Sequence, residues 1–199
     1  MLAMTTRFLR LLTLGLVVVS SFGAVGCNRK AKTPEDAYAR FTAAVGAHDG
    51  AALFDALDQK TRWAWISIQK YQREAYDIVL SNYPEGQERE RAAHRFEPGA
   101  TATSARELFA AQAAPALLPT LAPLAAPGAK IEASPSGGEA AAVLASGARV
   151  PLARGEDGSW GFAGTAKDAE EQKVRAFHDL EVVRASAADY ERAATRAGK

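Results

Sequence analysis

The side chains that could carry out acid–base or metal chemistry are few and scattered in this sequence. No two of its three histidines, His48, His94 and His178, have the i, i+4 spacing that places two zinc ligands on one helix face. His48 and His178 each precede an aspartate, but neighbouring residues on a helix do not face one another. Adjacent carboxylates fall at an expected helix start, a turn and an exposed helix, where nothing raises a pKa for acid catalysis. We therefore expect no catalytic residue, no bound metal ion and no cofactor.

A group of aromatic residues is the best candidate for a specific contact. Trp63, Trp65, Tyr71 and Tyr76 all fall within one predicted helix, over about residues 60–82. Tryptophan and tyrosine are favoured in ligand pockets and at protein interfaces, because each combines a large apolar body with a polar atom. Aromatic residues at helical spacing also form ordinary cores. The sequence therefore leaves two interpretations open for this group, a pocket or interface and a packed core.

Composition and charge narrow the class of protein. The chain has 199 residues, of which 48% are hydrophobic and 24% are charged, as in globular domains. Its 24 Lys and Arg residues balance 23 Asp and Glu residues, so it lacks the basic field that nucleic-acid binding requires. Cys27 is the only cysteine, which excludes an internal disulfide. We expect one domain with a full core and no nucleic-acid partner.

The amino-terminal residues have the pattern of a secretory signal. Arg7 and Arg10 precede an uncharged apolar run over residues 11–26, which is shorter than the roughly 20 residues of a membrane-spanning helix. The run ends in Ala24-Val25-Gly26-Cys27, which resembles the lipobox of bacterial lipoproteins. The resemblance implies cleavage before Cys27 and acylation of both its sulfur and its new amino terminus. More than one acyl chain gives stable anchoring.

This resemblance implies the bounds of the first two segments and the location of the protein in the cell. Residues 1–26 are then a lipoprotein signal peptide, and residues 27–33 are a polar tether. The membrane becomes a partner through acylated Cys27, with the rest of the chain outside the cytoplasm. Asn28 follows the cysteine, and the resemblance then implies the periplasmic face of the outer membrane over the inner membrane. The alternatives are an ordinary signal peptide with a chance cysteine and an uncleaved anchor.

Residues 34–199 are predicted to form a single α+β domain. The part over 34–114 is helical, with Thr33 as the first cap and Pro34 at the first helical position. Prolines recur every fourth residue over 115–127, and since an interior proline costs about 3 kcal/mol in a helix, we expect an extended strap there.

The remaining part of the domain is predicted as strands and then one helix. Short strands separated by Gly and Asp turns are predicted over 129–163. A long final helix over 166–196 is predicted to start with Thr165 and Asp168 as a capping pair.

The order of elements resembles small lipoproteins of the nuclear transport factor 2-like, or cystatin-like, superfamily. The matching stretches are 33–62 and 130–162, and the second includes the turn Asp157-Gly158-Ser159-Trp160. The resemblance implies a cone-like fold, in which a small curved antiparallel sheet wraps round helices and leaves a pocket. The alternative is a mostly helical domain with a β-hairpin appendage.

Three functional hypotheses follow. The first is a membrane-anchored, non-enzymatic module of the cell envelope that binds a protein partner or a small hydrophobic ligand. The second is a cone-fold isomerase or hydrolase, which requires one of the histidines to be buried beside Asp, Glu or Tyr. The third is a structural spacer of an envelope complex, with a filled core and a large apolar patch.

Overall fold

The computed structural model describes residues 30–197, and the predicted signal peptide, Cys27 and residues 198–199 lie outside them. The described chain contains seven α-helices, one short 3-10 helix and four β-strands: α1 (Pro34–Gly46), α2 (Gly50–Ala56), α3 (Gln59–Asn82), α4 (Gln87–Thr101), α5 (Ala105–Gln112), α6 (Ala114–Leu121), a 3-10 turn (Ala122–Leu124), β1 (Lys130–Ala133), β2 (Glu139–Val143), β3 (Arg149–Arg154), β4 (Trp160–Phe162) and α7 (Ala166–Ala197). The predicted α+β class, the small antiparallel sheet and the long C-terminal helix are confirmed. The cone-like curvature stays a prediction.

Side-chain caps fix the starts of the amino-terminal helices, as the sequence predicts. The Thr33 hydroxyl accepts a hydrogen bond from the Asp36 N–H at 3.2 Å, and the Ser104 hydroxyl accepts one from the Glu107 N–H at 3.2 Å. The capping pair predicted at Thr165 and Asp168 is wrong. The Thr165 carbonyl accepts the Ala169 N–H at 3.0 Å, whereas its buried hydroxyl has no hydrogen-bond partner.

The cap of α3 is the best buried of these. The Asp58 carboxylate accepts hydrogen bonds from the Lys60 N–H at 3.0 Å and the Thr61 N–H at 3.3 Å, and it also bonds the Thr61 hydroxyl. Asp58 is 5% exposed and Thr61 is fully buried. We expect Asp58→Ala to lower the free energy of unfolding by about 2–3 kcal/mol, because it removes the cap and strands a buried hydroxyl.

Urea unfolding followed by circular dichroism measures this difference. Asp49→Ala is the matched control, because Asp49 caps α2 through the Ala51 and Ala52 N–H groups, both at 2.9 Å, but is itself exposed. Its loss should cost about 1 kcal/mol. Equal losses for the two variants would contradict the role assigned to the buried Thr61 hydroxyl.

The proline-rich stretch is not the extended strap that its sequence predicts. Residues 114–124 form α6 and the 3-10 turn, and only the residues after Leu124 lack regular structure. Pro115 lies in the first turn of α6, where an N–H has no intrahelical acceptor to lose. Pro119 is the single interior proline of α6. The Tyr38 hydroxyl holds the end of this segment by donating to the Ala126 carbonyl at 2.6 Å.

The four strands form one antiparallel meander in the order β1-β2-β3-β4. Val150 and Leu152 of β3 turn to the core, as period-2 alternation requires, and α1 packs against this inner face. Phe41 of α1 contacts Phe162 of β4, with ring centroids 4.5 Å apart. Packed side chains therefore occupy the inner face of the sheet, which is where the resemblance to cone-like folds implies a pocket.

Helix α3 is the common support of the helical half. Helix α4 is antiparallel to α3 and approaches it closely at Gly99. Helix α7 lies beside α3 and runs in the same direction. Tyr71 contacts Phe177 near the middle of α3, and Tyr83 contacts Tyr190 just after its end. A hydrogen bond to Glu88 of α4 raises the pKa of Tyr190 to about 12.

No described helix combines the length and the apolar character that crossing a bilayer would demand.

Candidate functional site

A groove runs along the amino-terminal half of α7, and we call it the α3–α7 groove. It consists of two adjoining clefts, of about 200 Å³ and about 320 Å³, which share Gln112 and Gln172. Trp65, Ile68 and Gln72 of α3 form its floor. The carboxyl end of α5, with α6, forms one wall and α7 forms the other.

Small side chains on the facing helices leave this groove open. Ala113 and Ala116 face it from the α5–α6 side, and Ala169 and Ala176 face it from α7. A methyl group is too short to fill the space between two neighbouring helices, which a larger side chain would fill. A gap therefore remains over α3. The groove therefore follows from the alanine-rich composition of these helices.

The floor of the groove is rigid. The Trp65 side chain is 4% exposed, and its ring packs edge-on to Phe109 with centroids 5.2 Å apart. Ile68, the next floor residue, is 2% exposed and belongs to the same core cluster. An apolar group of a ligand would thus meet a preformed surface, whose ordering has no cost at the moment of binding.

Two buried polar atoms of groove residues have no hydrogen-bond partner. They are the Thr165 hydroxyl, on a residue that is 7% exposed, and the Gln72 Oε1 atom. Leaving such a group unpaired costs about 1–3 kcal/mol, so an unpaired polar atom often marks the place of a ligand group or a water. The amides of Gln112 and Gln172 and the carboxylate of Asp168 lie nearby at the surface. Hydrogen-bonding groups thus line the Thr165 end of the groove. Gln72 Oε1 lies instead beside Gly99 of α4, in the larger cleft.

An ion pair bridges the other end of the groove. Arg95 of α4 contacts Asp179 of α7 through Nη2 and Oδ2 at 2.6 Å, and both residues line the larger cleft. Arg175 also lines this cleft, which therefore holds two cations and the anion Asp179. The second anion, Asp168, lies at the opposite end of the groove. The formal charges of the lining residues cancel, which suits a neutral or zwitterionic ligand better than a polyanion.

The structure divides the aromatic group that the sequence singled out. Trp65 forms the floor of the groove, whereas Trp63 is 50% exposed on the outer face of α3. Tyr71 is half-buried between the two core clusters and contacts Phe177, with centroids 5.4 Å apart. Tyr76 is half-buried against the second cluster. Trp65 thus lines a cleft while Tyr71 and Tyr76 pack against the cores, and use of this group in a pocket or interface stays a prediction. The predicted lipid-attachment residue Cys27 lies outside the described residues.

The histidines do not form the site that the enzyme hypothesis requires. His48, His94 and His178 are all exposed. His94 contacts Glu97, with Nδ1 and Oε2 3.1 Å apart, but both side chains lie in solvent. Within residues 30–197, no three His, Cys, Asp or Glu side chains gather in a way that could hold a metal ion.

Sequence reasoning missed most of the groove. Its lining residues come from α3, α4, α5, α6 and α7, and the three glutamines Gln72, Gln112 and Gln172 have no local pattern that sets them apart. Thr165 carries a local signal, but that signal is the one for a helix cap. Of the predicted site residues that the structure describes, only Trp65 lines the groove.

Comparison of this chain with protein-family models, with curated proteins and with solved structures finds no match.

Proposed function

We propose that this protein is a membrane-anchored, non-enzymatic module of the cell envelope that binds a small amphiphilic molecule in the α3–α7 groove. The observation that carries the proposal is the pairing of a rigid Trp65 floor with the unpartnered, buried Thr165 hydroxyl. Attachment through acylated Cys27 supplies the address, and it rests on the lipobox resemblance.

The dimensions of the groove support a small ligand. Typical ligand pockets have volumes of about 300–1,000 Å³; the cleft of about 200 Å³ falls below this range and the cleft of about 320 Å³ lies at its lower end. The apolar body of a ligand would rest on Trp65 and Leu117, and its polar end would reach Thr165, Gln112 or Gln172. A site built in this way orients a ligand through few polar contacts, while apolar burial supplies most of the affinity.

A second candidate function is the binding of a protein partner on the outer faces of α3 and α7. Large apolar side chains there are exposed to solvent: Trp63, Ile66, Val174, Phe177 and Val182. Tryptophan is enriched at the energetic centres of protein interfaces, so the half-exposed Trp63 would be the main anchor. A structural spacer would use the same surface.

Native mass spectrometry of the full-length protein, gently extracted from its own membrane, tests both candidates at once. A co-purifying small molecule supports the groove proposal. A co-purifying protein that Trp63→Ala removes supports the outer-face candidate. An empty monomer that also fails to bind an apolar probe such as anilinonaphthalene sulfonate contradicts the groove proposal.

We expect Ala116→Phe to weaken binding in the groove by at least about tenfold, because a ring in place of this exposed methyl group would occupy the ligand's space. The matched control is Ala111→Phe, since Ala111 is exposed on α5 and does not line the groove. Fluorescence titration with anilinonaphthalene sulfonate measures both variants. Equal affinity in the two would place the ligand elsewhere.

A further inference from the structure

The first described residues are fastened to the edge of the sheet, and we call this contact the N-terminal clamp. The Ala31 carbonyl accepts the Trp160 N–H at 2.9 Å, and the two residues form an antiparallel bridge along β4. The Lys30 ammonium contacts the Asp157 carboxylate at 2.7 Å. Ala31 is buried, so the folded domain begins within the stretch 27–33 that the sequence predicts as a tether.

The acidic partner of the clamp is itself fixed. The Asp157 carboxylate accepts hydrogen bonds from the Ser159 hydroxyl at 2.6 Å and the Ser159 N–H at 3.0 Å. The hydrogen bond from Lys30, followed by those from Ser159, holds the pKa of the Asp157 carboxyl well below its usual range. Because the pKa is lower in the folded chain, the stabilisation from this contact is present at neutral pH and disappears only in strong acid.

We infer that the bilayer surface itself is the partner of the face around the N-terminal clamp, so that the domain rests on the membrane in one orientation. This inference rests on the proposed acylation of Cys27. Only four residues of chain lead from Cys27 to Ala31, and they reach at most about 14 Å. A domain attached so closely has no room to turn freely or to stand away from the lipid headgroups.

The charge of this face fits anionic headgroups. An open depression beside the clamp is lined by residues of the first described turn and of α1: Lys30, Ala31, Lys32, Asp36, Ala39 and Arg40. Three of these residues are cations and one is an acid, and Asp157 pairs with Lys30, so one net positive charge remains on this face. Basic side chains held within a few ångströms of an anionic leaflet are attracted to it, and this attraction falls off within a Debye length.

The two ends of α7 lie at different distances from the clamp. Thr165, at the inner end of the α3–α7 groove, follows Trp160 by five residues, which limits their separation to about 18 Å. Helix α7 is about 46 Å long from Ala166 to Ala197, so Ala197 lies at least about 20 Å from Ala31. Ala169 at the start of α7 also shares the main core cluster with Ala31, whereas Leu180 and the buried residues after it belong to the second cluster. The Thr165 end of the groove is thus the end nearer the clamp.

Energy transfer from single dye positions to labelled lipids tests the orientation. The acylated full-length chain is reconstituted in vesicles of phosphatidylethanolamine and phosphatidylglycerol that carry an acceptor dye on their headgroups. Lys32→Cys places the donor dye beside the clamp, and Arg196→Cys is the matched control at the far end of α7. Both substitutions replace an exposed cation, and acylated Cys27 does not react with the dye.

We expect several-fold stronger transfer from position 32 than from position 196. A flexible Gly/Ser insertion of about 20 residues after Asn28, which spans about 25 Å, should remove most of this difference. Equal transfer from the two positions in a chain whose mass confirms the acyl groups would overturn the orientation and leave the anchor standing. A mass without acyl groups would overturn the anchor, and this inference with it.

Discussion

Gly161→Ala should destabilise the domain more than a methyl group added at any other glycine within residues 30–197. Gly161 lies in β4 against the junction of α2 and α3, where the Asp58 N–H donates to the Phe162 carbonyl at 3.0 Å. A Cβ at position 161 would lie 2.4 Å from the Leu57 carbonyl oxygen and 2.5 Å from the Asp58 nitrogen. These are backbone atoms, so they cannot rotate away as a side chain can. We expect a loss of about 3 kcal/mol or more in the free energy of unfolding.

The midpoint of urea unfolding measures this loss, with Gly46→Ala as the control. Gly46 is the last residue of α1, and a Cβ there would meet nothing within 4 Å. Alanine has a higher helix propensity than glycine. The control should therefore keep the wild-type free energy of unfolding or raise it by about 0.5–1 kcal/mol. A midpoint for Gly161→Ala that matches the wild type would show that β4 does not pack on the α2–α3 junction.

Replacement of Cys27 should change the location of the protein almost completely. We expect the native chain to stay with membranes through a high-salt wash, because two or more acyl chains bury far more CH₂ groups than a single marginal one, at about 0.8 kcal/mol for each. A chain with Cys27→Ala, exported by an ordinary cleavable signal in place of residues 1–26, should move to the soluble envelope fraction. Immunoblots of the fractions and intact mass measure this shift.

Asn28→Ala is the control for the loss of the cysteine. It changes the next residue and keeps the proposed acylation site, so both the mass of the acyl groups and the membrane fraction should stay as in the native chain. Membrane association that survives in the Cys27→Ala chain would contradict the lipid anchor. It would point to binding through the folded domain alone.

Helix positions could be predicted closely because their signals are local. The helix expected over about 60–82 spans Gln59–Asn82, and the one expected over 166–196 spans Ala166–Ala197. Asp and Ser caps act within one turn of the chain, and a sequence shows them directly. The strands within 129–163 could be predicted in the same way, because glycine-containing turns separate them. Gly137, Gly147 and Gly158 in these turns have positive φ.

The groove could not be predicted, because it depends on which helices lie side by side. Phe177 of α7 is a large aromatic residue and yet is 46% exposed, while the neighbouring small Ala176 is buried at the groove. Over 32 residues a helix drifts relative to any fixed repeat, so its buried face depends on its partner. Small residues that leave space look the same in a sequence as small residues that fill it.

The buried residues form a main core and a smaller distal core, and both include residues of α3. The distal core consists of only seven buried residues, among them Val79, Phe96 and Leu180, whereas the main core joins α1, α2, α5 and the sheet. Because the core that holds α4 and the second half of α7 is the smaller one, we expect these helices to open at a lower free energy than the sheet. Such breathing would widen the groove at its Arg95–Asp179 end and leave Trp65 in place, which gives a ligand a route of entry without global unfolding.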